Sequence, residues 1–260
     1  MTPQKIAIRT ACYGQPLSKS LALASQAGAA AVEIDARHEL KATEMSSTAI
    51  RQIRKILDDQ QLKVVAIAFP TRRGYDVEAD LDRRVDATKA AMKVAYELGA
   101  SVLVNQIGFT GGEEEDSQLS PLLMEVLSEL GVYGQHVGCL LAAETGAESG
   151  AALRRVIDAL PVGTLGVTFN PGNLIINGFS ASEAIGDLGT HIHHVRAKDG
   201  TRDLAQGRGI AVPLGRGSVD WPDVFASLED HAYRGWFTIE PSTPGANDEI
   251  KQSMEFLWNL

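Results

Sequence analysis

The chain has 260 residues, 44% of them hydrophobic and 22% charged, an ordinary globular composition. Twenty-four Lys and Arg against 33 Asp and Glu leave a formal charge of −9, which argues against nucleic-acid phosphates and anionic membranes as general partners. No run approaches ~18 consecutive apolar residues, Met1-Thr-Pro-Gln-Lys-Ile6 carries no apolar secretory core, and Cys12 and Cys139 are too few for a disulfide framework or a Cys-x-x-Cys zinc site, so a cytoplasmic protein is expected.

Along the chain, short β-branched runs alternate with helical patterns. Lys5–Thr10 and Ala31–Ala36 are the first two strand candidates. Thr48–Gln61 follows as a helix, with Ile50, Ile53, Ile56 and Leu57 on one face. Lys63–Phe69 is the third strand. Leu81–Leu98 is a helix that aligns Leu81, Val85, Met92, Ala95 and Leu98 and stops at Gly99. Ser101–Gln106, Cys139–Glu144 and Leu165–Asn170 are the next three strands. Ser180-Ala-Ser-Glu183 reads as a capping box, in which serine and glutamate each satisfy an orphan backbone N–H. His191–Lys198 is the seventh strand, and Asp220-Trp-Pro222 opens a helix, because Pro fits the first turn. Trp236–Glu240 is the eighth strand.

The strand starts lie roughly 26 to 45 residues apart, the size of a βα unit. No Pro/Ser-rich linker or change of composition divides the chain, so residues 1–260 are expected to form one α/β domain. Eight parallel strands close into a (β/α)8 barrel or open into a doubly wound sheet. The first turn, Tyr13-Gly-Gln-Pro16, lacks the Gly-x-Gly-x-x-Gly of the open sheet, and the count of eight favours the closed TIM barrel.

Barrel enzymes carry their reactive groups at the C-terminal strand ends. The last inward positions here offer Glu33 and Asp35 on the second strand, Glu144 on the fifth and Asn170 on the sixth. The seventh offers Arg196 and Lys198, and the eighth Glu240. Alternation places Arg196 on one face with His194 and Lys198, and turns His193 and Val195 toward the helices. His136, His191 and His231 fall in helix or loop-edge contexts and are expected at the surface.

Five stretches carry a resemblance: Glu144-Thr-Gly146, Phe169-Asn-Pro-Gly-Asn-Leu174, His194-Val-Arg-Ala-Lys-Asp199, Pro213-Leu-Gly-Arg-Gly217 and Gly235-Trp-Phe-Thr-Ile-Glu240. In this order and spacing the chain resembles the xylose isomerase-like TIM barrels, the sugar phosphate isomerase/epimerase group. The resemblance implies one divalent cation (Mn, Mg or Zn) held by Glu, Asp, His and Glu from strands five to eight, and a homodimer or homotetramer. By position those ligands are Glu144, Asn170, Arg196 and Glu240. The chain departs from the pattern at two of them. Asn170 keeps an oxygen but no charge, and Arg196 has no lone pair and is always cationic. Asn173 stands where the epimerases carry a His.

Two carboxylates facing each other repel unless a cation intervenes. Arg196 is therefore expected to replace the metal and bridge Glu144 and Glu240. At ~4 Å and an effective dielectric near 20, such a pair gains roughly 4 kcal/mol before desolvation. No metal is expected; were one bound, Glu144, Asn170 and Glu240 would hold it.

The resemblance implies an isomerase or epimerase acting on a small polyhydroxylated carbonyl compound. Glu144 and Glu240 are the expected acid–base pair, and Arg196 and Lys198 bind the developing oxyanion. Asn170, Asn173, Glu33, Asp35 and Arg208 are expected to contact substrate, with Arg37 and His38 near the pocket. Two alternatives stay open: a non-catalytic polyol-binding protein, and a sugar dehydratase or lyase on the same site. An apurinic endonuclease is disfavoured, because six histidines do not supply a three-metal ligand set. Lys198-Asp199 is alternatively a local structural pair, and Leu214-Gly-Arg-Gly217 either a turn or a weak anion cradle of backbone N–H groups. Arg72-Arg73, Arg208 and Arg216 add positive charge near the mouth, which suits a sugar acid or sugar phosphate.

Overall fold

Each of the eight expected strands forms. The computed structural model describes residues 5–112, 118–203 and 207–260. In chain order the strands are β1 (Ile6–Arg9), β2 (Ala31–Asp35), β3 (Lys63–Ala68), β4 (Val102–Asn105), β5 (Leu140–Glu144), β6 (Leu165–Phe169), β7 (Ile192–Ala197), β8 (Asp199–Thr201), β9 (Ile210–Val212) and β10 (Phe237–Ile239). β1 to β7 and β10 pair in parallel, each with the next, and β10 closes on β1. The fold is a (β/α)8 TIM barrel. β8 and β9 form a separate antiparallel hairpin that the periodicity does not announce.

The helices are α1 (Leu17–Gln26), α2 (Ser47–Asp59), α3 (Leu81–Glu97), α4 (Pro121–Val137), α5 (Gly150–Asp158), α6 (Pro171–Ile176), α7 (Ala181–Leu188), α8 (Trp221–Asp230) and α9 (Asn247–Trp258). α2 starts where the Ser46 hydroxyl accepts the Ala49 N–H, and it buries Ile50 and Leu57; full burial of such a side chain contributes about 1.5–3 kcal/mol. At α7 the Ser180 hydroxyl accepts the Glu183 N–H, the serine half of the expected capping box. At α8 the Asp220 carboxylate accepts the Asp223 N–H, with Pro222 in the first turn. No helix of the described residues is long and apolar enough to cross a membrane.

Strand alternation divides the interior into two unlike layers. Ile6, Ile8, Val32, Ile34, Leu141, Ala143, Val167, Phe169, Val195, Phe237 and Ile239 face outward and join the main apolar core beneath the helices. The opposite parity faces the barrel axis. On β3, β4 and β5 it supplies a small second cluster, Ala66, Val102, Val104 and Ala142. On β2, β6, β7 and β10 it supplies Glu33, Thr168, His194, Arg196 and Thr238, all buried. Half of the barrel axis is therefore polar, and those groups must satisfy one another.

One carboxylate organises the loops after β7. Asp199 is buried and accepts N–H groups from Gly200 (2.8 Å), Gly215 (2.9 Å), Gly217 (3.1 Å) and Val219 (3.2 Å), and from the Trp221 indole (3.3 Å). A Cβ on Gly217 would lie 2.0 Å from Asp199 Oδ1, which explains the glycine. Two expectations are corrected here. The N–H groups of Gly215 and Gly217 do cradle an anion, but it is the protein's own Asp199. Lys198 and Asp199 are not a mutual pair: Lys198 Nζ turns the other way, 3.6 Å from Glu240 Oε1.

Candidate active site

The C-terminal mouth gathers six charged side chains from five strand ends. Arg9 ends β1, and its register partner on β2 is Glu33. Glu144 ends β5, Arg196 and Lys198 lie at the end of β7, and Glu240 follows β10. Arg196 is the hub. Its Nη2 donates to Glu33 Oε1 at 2.6 Å and its Nε to Glu33 Oε2 at 3.1 Å, a bidentate fork that a planar guanidinium is shaped for. Its Nη1 donates to Glu144 Oε1 at 2.7 Å and lies 3.7 Å from Glu240 Oε2. One nitrogen thus stands between the two glutamates. The first partner of Arg196 is nevertheless Glu33, which the strand-end reading leaves unpaired.

Arg9 is the residue that the sequence reading missed. Its Nη1 donates to Glu240 Oε1 at 3.1 Å, and its Nε lies 3.3 Å from Glu33 Oε1. The signal was present: Ile6-Ala-Ile-Arg9 alternates, which puts Ala7 and Arg9 on the axial face. Thr10, read as the strand's end, instead opens a 3-10 turn, and its hydroxyl bonds Glu33 O and Glu39 Oε2.

Three cations, Arg9, Arg196 and Lys198, meet three carboxylates, Glu33, Glu144 and Glu240. The cluster balances its own charge. Burial alone would lower the Arg196 pKa, but Glu144, Glu33 and Glu240 outweigh it and hold the guanidinium well above its ordinary value. Burial would raise the Glu240 pKa; Arg196, Arg9 and Lys198 outweigh it and hold the carboxyl below its ordinary value. His194 is fully buried, and burial pushes its pKa down to about 4, so it is neutral at neutral pH. Its Nε2 bonds the Thr238 hydroxyl at 2.8 Å. Cys12, close to Arg9, is a free buried thiol whose pKa burial pushes up to about 12, which leaves it inert as a nucleophile.

Each of the two expected acid–base residues has one oxygen engaged and one without a hydrogen bond among the described residues. Glu144 Oε1 accepts Arg196 Nη1, Asn170 Nδ2 (2.8 Å) and Asn173 Nδ2 (3.4 Å); among the described residues Oε2 accepts no bond. Glu240 Oε1 accepts Arg9, and its buried Oε2 has no hydrogen-bond partner. Glu144 also lines a cavity of about 320 Å³ that opens toward Gln106, Arg72 and Arg73.

The remaining expected contacts divide. Asn170 caps α6: its Oδ1 accepts the Asn173 N–H at 3.0 Å while its Nδ2 faces Glu144. Glu33 is fully buried beneath the mouth. Asp35 turns away from the cluster and accepts the N–H groups of Arg37 and His38, both at 2.8 Å, and the His38 ring at 3.1 Å. Arg208 is exposed, just ahead of β9. Of the histidines expected at the surface, His136 is exposed and His191 and His231 are half-buried.

A family model described as xylose isomerase-like TIM barrel matches residues 21–260. An inosose dehydratase from Geobacillus thermodenitrificans (strain NG80-2) is 22% identical over 216 residues, 69% of this chain and 70% of that protein. Among solved structures, a xylose isomerase domain protein from Planctomyces limnophilus superposes with a TM-score of 0.86 at 21% identity, over 99% of this chain and 97% of its own. A D-psicose 3-epimerase, solved in the presence of D-fructose, gives 0.75 at 14% identity, over 98% and 97%. At these identities the structural likenesses speak for the fold.

Proposed function

The chain belongs to the xylose isomerase-like TIM barrel family, and from that premise we propose that it moves a proton on a small polyhydroxylated carbonyl compound, as an isomerase or epimerase. The observation that carries this reading is the pair Glu144 and Glu240, each anchored through one oxygen and without a hydrogen bond at the other, with Arg196 Nη1 between them. Glu240, whose pKa the three cations depress, enters the reaction ionised and takes the proton α to the carbonyl. Glu144 takes a proton from solvent water and delivers it to the carbon from its own side, and Glu240 releases its own to solvent.

The cations matter most in the middle of the reaction. When Glu240 gains a proton, its negative charge passes to the enediolate, and the total charge of cluster and substrate together does not change. Arg196 and Lys198, no longer neutralised by Glu240, then stabilise the oxyanion with little reorganisation. A depressed pKa makes Glu240 a weaker base, and the same cations offset that cost by favouring the enediolate.

The donor set does not suit the divalent cation that the family pattern implies. Asn170 Oδ1 is engaged by the Asn173 N–H, and Arg196 offers no lone pair. Among the described residues no group of three or more His, Cys, Asp and Glu is arranged to hold a metal. A dication added to a charge-balanced cluster would also face the repulsion of the two guanidinium groups. We therefore assign the electrostatic role of the cation to Arg196.

The test is exchange of substrate C–H for deuterium in deuterated water, followed by NMR across a panel of sugars, inososes and sugar derivatives. Exchange is expected to persist after exhaustive chelation, and Glu144→Gln and Glu240→Gln are each expected to lower it by ~10²–10⁴-fold without unfolding the protein. Exchange that chelation abolishes and Mn²⁺ restores would overturn the metal-free assignment. The inosose dehydratase relative favours a second reading, elimination from the same site. Loss of water in the product, read by mass, selects it. Stabilisation by polyols with no exchange on any compound would select the non-catalytic binder.

A further inference from the structure

The acidic chain turns positive at one place beside the mouth. A cavity of about 1170 Å³ is lined by Arg37, Lys41, Arg72, Arg73, Arg83 and Arg84, against the acids Glu44, Asp80 and Asp86. It shares Thr71, Arg72 and Arg73 with the smaller cavity that reaches Glu144. Two of these guanidinium groups are committed to the protein: Arg37 Nη1 donates to Pro70 O at 2.8 Å, and Arg84 donates to the carbonyls of Val77 and Ala79. Arg72, Arg73 and Arg83 are exposed, and among the described residues none is held by a hydrogen bond or ion pair.

From this we infer that Arg72 and Arg73, with Arg83 behind them, form an oxyanion subsite, and that the substrate is a polyhydroxylated compound ending in a phosphate or carboxylate. Three observations converge. The catalytic cluster balances its own charge and asks none of the substrate. The free guanidinium groups stand on the wall between the two cavities, so a molecule whose reacting carbon lies at Glu144 extends its far end toward them past Gln106. In addition, a protein of charge −9 repels anions at long range, and a local group of uncommitted arginines reverses that field where a ligand enters. Guanidinium matches both phosphate and carboxylate through paired N–H donors. The subsite rests on the proposed function only for which end of the substrate reacts.

The test measures binding directly, by calorimetry at 20 and 150 mM salt, with four probes: glucose, gluconate, glucose 6-phosphate and inorganic phosphate. The wild type is expected to bind gluconate, glucose 6-phosphate or both at least ~10-fold more tightly than glucose, with the preference shrinking at the higher salt. Which of the two binds better identifies the oxyanion. Arg72→Gln/Arg73→Gln removes no hydrogen bond or ion pair among the described residues and is expected to keep the wild-type melting temperature while losing the preference. Equal affinity for glucose and both anions overturns the inference, as does a preference that the double variant retains. Inorganic phosphate binding as tightly as glucose 6-phosphate, with gluconate no better than glucose, overturns it too. Anion binding that depends on Arg72 and Arg73, with no deuterium exchange on any compound, leaves the subsite standing and fails the catalytic reading instead.

Discussion

Replacing Arg196 with methionine removes the guanidinium and keeps most of the volume. Glu33, fully buried, then loses the 2.6 and 3.1 Å bonds, and Glu144 loses the 2.7 Å bond. What remains to Glu33 is Arg9 Nε at 3.3 Å and a neutral imidazole at 3.7 Å. Breaking a buried ion pair from one side typically costs about 3–5 kcal/mol, because the surviving charge is left without its partner. For a domain of this size that lowers the melting temperature by roughly 6–20 °C. Urea unfolding at pH 7 measures the deficit. A double variant, Arg196→Met/Glu33→Leu, removes both charges and should recover most of the loss, with a coupling of about 2 kcal/mol or more. A single variant that loses under 1 kcal/mol at pH 7, or a double variant that recovers none of the loss, would refute the reasoning.

Two further outcomes follow from buried groups outside the proposed acid–base pair. Asp199→Ala strips the acceptor from five N–H donors and should destabilise the protein by about 3 kcal/mol or more, since hydrogen bonds to a charged group contribute about 1.5–3 kcal/mol each; hydrogen exchange should speed up first at the Gly215, Gly217 and Val219 amides, and unchanged protection there would count against the anchor. His194 has a folded pKa of about 4, below its unfolded value of 6.5, so the unfolded chain binds more protons between those limits and stability rises with pH across that window. The contribution is about 3 kcal/mol, flat above pH 6.5 and absent below pH 4; a His194→Gln variant with the same pH slope as wild type in urea titrations would contradict it.

The barrel was legible because its strands are outward-facing Ile, Val, Leu and Phe alternating with small or polar residues, and each signal is local. Lys63–Ala68 and Leu81–Glu97 lie within a residue of their expected bounds. The β8–β9 hairpin escaped because its strands have three residues each and pair only with one another. Its anchor, Asp199, reaches partners from Gly200 to Trp221, a distance over which periodicity says nothing. The two motifs read separately, Lys198-Asp199 and Pro213–Gly217, are one unit joined through that carboxylate.

The cluster was legible only in part, and the missing part follows from how a barrel closes. Glu144, Arg196 and Glu240 sit at the ends of β5, β7 and β10 on one side of the barrel, so reading strand ends in order finds them. Glu33 and Arg196 are 163 residues apart and meet across the barrel. Electrostatics nonetheless demands such a meeting. A buried arginine, 4% exposed, has five N–H donors to satisfy, of which Glu144 accepts one and Glu240, at 3.7 Å, none. A third carboxylate is needed that takes no part in the reaction, and Glu33 supplies it from beneath. Glu240 then shares its hub with Glu144 and needs a second cation, and Arg9, the register partner of Glu33, supplies that. A cation buried at position 196 needs a carboxylate on the opposite wall, and that carboxylate's neighbour supplies a counter-cation. Such an arrangement involves β1, β2 and β7 together, so restoring His at position 196 by itself would leave Glu33 buried without its fork and would not rebuild a metal site.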